Sequence, residues 1–192
     1  MQLYCLEVND YSANIDMSIF PLNLQQHIKQ YQGKDRINSY YAYKILYDKI
    51  DDFNIEFSLN GKPLFKNHFV SISHSENMVL VAISLKNVGI DLQCHKKISK
   101  SLIDKIVPNN HINAVYNDNN LFFNYWCLME AKCKYDDGKL VNYFKQDITG
   151  KTLTITDRNK NCYTIGIVSN DTNINIKKME INNGNINKKS HK

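Results

Sequence analysis

The sequence predicts an α+β fold, on three observations. Strand-like and helix-like segments follow one another irregularly rather than as repeating strand and helix pairs, which argues against a doubly wound parallel sheet. Short runs such as FVSIS (69–73) and VLVAISL (79–85) are bounded by polar residues, as strands are, whereas Ile28, Ile37, Tyr41, Ile45 and Leu46 recur at helical spacing. With 192 residues, 43% of them hydrophobic, the chain can bury one sizeable core or two small ones packed together.

In order, residues 2–8 read as an opening strand, and a loop then leads to a helical region over 22–51 that Gly33 interrupts. A hairpin-like stretch follows, with strand residues 55–59, the turn Asn60-Gly61-Lys62-Pro63, and strands over 69–73 and 78–85. Another strand is expected over 88–92, a helix over 121–134, and two late strands over 152–156 and 163–168 that close the ordered part. There is no short sequence repeat.

Composition narrows the function classes. The five cysteines are odd in number and form no CxxC pair, and the first ten residues contain no basic-then-apolar leader, so a reducing, cytoplasmic location is expected. The longest apolar run, 79–85, is far short of the roughly 18 residues a membrane helix needs, so a soluble protein without a membrane partner is expected. The net charge of +5 would suggest nucleic acid, but residues 177–192 hold five Lys against one Glu. Without them 19 basic and 18 acidic residues remain, a net +1. Residues 177–192 are therefore read as a flexible, solvated basic tail, and no nucleic-acid partner is expected.

Asp91 and Gln93 flank Leu92 on the expected strand, so their side chains leave one face while Ile90 and Leu92 point to the core. Trp126, Glu130 and Lys134 are spaced by four on the expected helix and share one stripe. Taken alone, Glu130 and Lys134 are an exposed ion pair worth about 0.3 kcal/mol. Taken alone, His74 between Ser73 and Ser75 is a histidine in a turn, and Gly61-Lys62-Pro63 is a solvated turn with a cation.

The order of these four elements is more specific than any one of them. GKP at 61–63, SISHS at 71–75, GIDLQ at 89–93 and WCLMEAKCK at 126–134 resemble the Sfp-type 4′-phosphopantetheinyl transferases. That family's motifs run GKP, (F/V)(N/S)(I/L)SHS, (V/I)G(I/V)D(I/L)E and WxxxEAxxK in that order. The similarity covers about residues 1–170 and is dense between Gly61 and Lys134.

The resemblance implies a pseudo-dimer of two similar α+β halves, here 1–87 and 88–176, with coenzyme A bound between them. It implies a monomer, because the internal duplication already makes the interface that single-half relatives obtain by oligomerising. The implied reaction moves phosphopantetheine from coenzyme A to a serine of an acyl or peptidyl carrier protein in fatty acid, polyketide or nonribosomal peptide synthesis. Such phosphoryl transfer depends on positioning and charge neutralisation.

By the same resemblance, Asp91 and Glu130, with the amide oxygen of Gln93, would hold Mg²⁺ or Mn²⁺, and Glu130 would take the serine proton. Lys134 would clamp phosphate. Ser73, His74 and Lys62 would contact coenzyme A phosphates, and Trp126 would pack its helix to the core. The chain departs from the family at Gln93, where Glu is usual, and at Asn38, where an arginine phosphate contact is usual; Arg36, Lys34 or Lys29 are candidates to replace it. Gln93 also leaves open a catalytically decayed module that binds coenzyme A or a carrier protein. Residues 98–123, with Leu102, Ile103, Ile106 and Phe122, are expected either to receive the carrier or to form the apolar stripe of an ordinary helix.

Overall fold

The computed structural model describes every residue except 13, 183, 184 and 189–192. Strand β1 (Gln2–Glu7) leads through a 3₁₀ turn to helices α1 (Leu22–Lys29) and α2 (Gly33–Lys49), and Gly33 begins the second helix with a φ of 53°. A two-residue ladder of β2 (Glu56–Phe57) and β3 (Pro63–Leu64) precedes β4 (Phe69–Ser75), β5 (Met78–Ser84) and β6 (Val88–Cys94). Helices α3 (Lys100–Ile106), α4 (Ile112–Asn117) and α5 (Asn120–Asp136) follow, then β7 (Lys151–Thr156), β8 (Cys162–Ser169), β9 (Asn175–Asn182) and β10 (Asn185–Lys188).

The strands form a five-stranded sheet ordered β10-β9-β1-β5-β4, a three-stranded sheet ordered β6-β8-β7, and the small β2-β3 pair. The architecture is thus mixed α and β with segregated helices, as the sequence predicts. β5 shows how the layers stack. All seven of its residues are buried, and strand alternation divides them between two cores. Val79, Val81 and Ile83 face Tyr41, Ile45 and Leu46 of α2, while Leu80 and Ala82 meet Ile90, Leu92 and Ile165 of the second sheet.

On its other face the second sheet carries α5, and two glycines permit that contact. A Cβ at Gly89 would be driven into the Ala131 carbonyl oxygen, and one at Gly166 into the Cys127 backbone. The layers therefore run helix, sheet, sheet, helix.

One expectation needs correction. Residues 177–192 are not simply a flexible tail. β9 lies parallel beside β1, β10 pairs back on β9, and Met179 and Ile186 are buried in the first core. Met179 and Ile181 share one strand face and supply the apolar surface that holds this segment; residues 183, 184 and 189–192 lie outside the described residues. This return also means that the C-terminal chain completes the sheet built by the N-terminal one, with the Met1 ammonium paired to Asp171. Residues 98–123 hold α3, α4 and the first turn of α5. Ile103, Ile106 and Phe122 are buried in a third core with Val115 and Phe123, and Leu102 packs against it, which is the core-stripe alternative of the two expected for this segment.

The glycine contact yields a test. Gly89→Ala is expected to lower stability by about 3 kcal/mol, the cost of overpacking against backbone that cannot move aside. The readout is a lower urea midpoint at unchanged slope.

Candidate active-site cleft

Where the edge of β4 meets the edge of β6, a cleft of about 440 Å³ opens between α2 and α5. Its polar lining includes Lys62, Ser73, His74, Asp91, Gln93, Glu130 and Lys134. Seven of the eight residues predicted for the site are therefore brought together from four separate segments.

Asp91 is 5% exposed, and a carboxylate so buried needs partners. Its Oδ1 accepts from the Lys134 ammonium at 2.8 Å and from the Ser73 hydroxyl at 2.8 Å. Lys134 reaches it because Gly89 lets α5 lie close to β6. Glu130, one turn earlier on the same helix, is half-buried in the cleft. Burial first, and then the neighbouring Asp91 charge, push its carboxyl above the usual range, while Lys134 pulls the other way. The i,i+4 spacing of Glu130 and Lys134 does not produce an ion pair between them among the described residues; Lys134 is drawn to Asp91 instead.

Ser73 is predicted to contact phosphate, but its hydroxyl is already committed to the protein, accepting from the Leu92 amide at 3.1 Å and donating to Asp91. Gln93 donates through Nε2 to Ser75 Oγ at 3.3 Å and to the Cys94 carbonyl at 3.2 Å. Its amide oxygen, the end able to meet a cation, has no hydrogen bond among the described residues.

His74 lies 3.7 Å from Asp35. Burial holds its imidazole below the ordinary value although Asp35 pulls it up, so at neutral pH it is an uncharged donor. Lys62 donates to the Tyr135 carbonyl at 3.1 Å and to Asn87 Oδ1 at 3.2 Å, and burial lowers its pKa. It thus caps the C-terminal end of α5, where a cation meets unpaired carbonyls.

Arg36 is half-buried on α2 and is not among the residues lining the cleft. Asn38 is buried and donates to the Glu76 carbonyl while accepting from Tyr11, a structural role. Trp126 both stacks on Phe122 and lines the cleft.

The cleft also has an aromatic wall that none of the four motifs contains. His27 stacks on Phe57 at 4.2 Å between ring centroids, with Tyr31 and Tyr43 edge-on to it, and His27, Tyr31 and Tyr43 line the cleft opposite α5. The spacing of His27 and Tyr31 offered a weak signal for one pair. Tyr43 offered none.

Among the described residues no group of three or more His, Cys, Asp or Glu side chains is placed to hold a metal ion. The oxygen donors of Asp91, Glu130 and Gln93 still suit a hard cation that keeps several waters, since such an ion needs only one or two protein carboxylates. Two observations agree with this: an ammonium already sits against Asp91, and Glu130 is hard to ionise beside a second carboxylate. No protein-family model matches the chain, and no curated protein matches it in sequence.

The raised Glu130 pKa fixes the sign of a pH effect. The native state holds the Glu130 proton to higher pH than the unfolded chain does, so ionisation of this group opposes folding as pH rises. In metal-free protein, Glu130→Gln is expected to be more stable than the parent at pH 8. The difference should close as pH falls towards the ordinary glutamate value of about 4.3, and melting curves across that range check it.

Proposed function

We propose that this chain is a Mg²⁺-dependent 4′-phosphopantetheinyl transferase that converts a carrier protein from its apo to its holo form, with a fold of two similar α+β halves facing coenzyme A across the cleft. The observation that carries this reading is the convergence of Asp91, Glu130 and Lys134 in one cleft with Lys62, His74 and Gln93. These residues lie up to 72 positions apart in sequence and belong to four motifs that together resemble one family.

On this reading the carrier serine Oγ attacks the β-phosphorus of coenzyme A. The new O–P bond forms as the bond to 3′,5′-adenosine bisphosphate breaks. Glu130 accepts the serine proton as the general base. Lys134 holds negative charge on the phosphate oxygens and can pass a proton to the leaving group. His74 donates one hydrogen bond to phosphate, and Lys62 retains an N–H for the same purpose while anchoring the loop that carries it. Asp91 and Glu130 would hold the Mg²⁺, which when bound supplies charge neutralisation on the diphosphate.

A second reading is favoured by Gln93, an uncharged side chain beside Asp91: a module that binds coenzyme A or a carrier protein without turnover. Intact-mass spectrometry of apo carrier proteins incubated with coenzyme A, Mg²⁺ and this chain separates the two. Transfer predicts a gain of one phosphopantetheinyl group, slowed at least ~100-fold by Glu130→Ala. Coenzyme A binding with every carrier unmodified, in both the parent and Gln93→Glu, would favour the module instead.

A further inference from the structure

Alternate residues of β4 are serines, and each hydroxyl accepts a backbone N–H from β6. Ser71 takes Ile90 at 3.0 Å, Ser73 takes Leu92 at 3.1 Å, and Ser75 takes Cys94 at 3.0 Å. The three rungs are not equivalent. Ser73 also donates to Asp91 Oδ1 at 2.8 Å, whereas Ser71 makes no contact of this kind with a site carboxylate among the described residues. A hydroxyl has one proton and two lone pairs. With the Leu92 amide bound to a lone pair, the Ser73 proton is directed to Asp91.

We infer that Ser73 is a positioning residue, holding Asp91 in the orientation in which it receives a divalent cation; the inference rests on the proposed function. Oδ1 accepts from both Ser73 and Lys134, and the buried Cys127 thiol also lies against the Asp91 carboxylate. Lys134 alone cannot fix that orientation, because its ammonium ends a flexible four-carbon stem. Ser73 sits on a strand whose own position is set by the rungs on either side. Partners of this kind commonly contribute ten- to a hundredfold in metal affinity.

The test titrates Mn²⁺ into the full chain saturated with coenzyme A, follows the free-ion electron paramagnetic resonance signal, and subtracts a coenzyme A blank. Ser73→Ala is expected to weaken Mn²⁺ binding about tenfold, and Ser73→Thr, which keeps the hydroxyl, to recover most of it. Ser71→Ala also removes a rung and should lower the melting temperature comparably, yet change Mn²⁺ affinity less than about twofold, because the seam and the carboxylate contact are separate hydrogen bonds. Should Ser73→Ala fail to fold, Ser73→Cys, of similar size and with a weak donor, is expected to show the same loss in smaller measure. Parent-like Mn²⁺ affinity in Ser73→Ala or in its Cys replacement overturns the inference, as does an equal loss in Ser71→Ala. If the parent itself binds no Mn²⁺ while still binding coenzyme A, this inference and the metal site of the proposed function fall together; if it binds Mn²⁺ but transfers nothing, only the transferase reading falls.

Discussion

Everything in the cleft depends on how two sheet edges are joined without a shared backbone ladder. β4 ends the five-stranded sheet and β6 ends the three-stranded one. The Ile90, Leu92 and Cys94 amides on this seam would be costly to bury unpaired. Serine hydroxyls from β4 satisfy them, at the two-residue repeat that a strand imposes. A side-chain rung is longer than a backbone one, so the edges stand apart while remaining in register. The amides bonded in this way belong to Ile90 and Leu92, whose side chains fill the core between the sheets. Asp91 and Gln93, pointing the other way, line the cleft.

The second constraint is the seating of α5, which carries Glu130 and Lys134. Small residues at Gly89 and Gly166 set its height over the sheet, and its C-terminal end is fixed by the loop between β2 and β3. There Asp137 adopts a left-handed conformation with φ 52°. Its carboxylate accepts from the Ser58 hydroxyl at 3.0 Å and its carbonyl from Asn60 at 2.7 Å, while Lys62 bonds the Tyr135 carbonyl. The turn that reads in sequence as a solvated loop is therefore a clasp between the N-terminal segment and the helix bearing the site's charges. A cation placed there also meets the negative end of the helix, which gives Lys62 a structural reason to exist beside any role with phosphate.

Local periodicity made much of this legible. Period two over 88–92 put Asp91 and Gln93 on one face, and spacing by four put Glu130 above Lys134. The same period-two rule places Ser71, Ser73 and Ser75 of SISHS on one face. Contacts between distant segments were not legible. Met179 and Ile181 alternate as in a strand, yet their pairing with β1 spans almost the whole chain, and the lysines around them favour a solvated reading. Arg36 lies one turn before Ser39 on α2, so its helical phase suits the cleft; how far the cleft extends along α2 is set by packing that no spacing encodes. Lys134 was bound to be drawn to a carboxylate, but the choice of Asp91 over Glu130 follows from burial, since the more deeply buried charge has more to gain from a partner.

The charges in the cleft explain why glutamine at position 93 is compatible with the rest. Burial first, and then the Asp91 charge, raise the Glu130 pKa, and Lys134 is the ammonium that offsets the two carboxylates directly. Lys62 is held at the helix end, and His74 is kept neutral by burial. A third carboxylate at 93 would add like charge to a half-buried site with no further cation facing it among the described residues, and either Glu130 would protonate or the cleft would need a permanently bound metal ion. An amide keeps an oxygen available without that charge. On the proposed reading, such a cleft would hold a divalent ion weakly by itself and well only with a diphosphate present, so that substrate and metal assemble together.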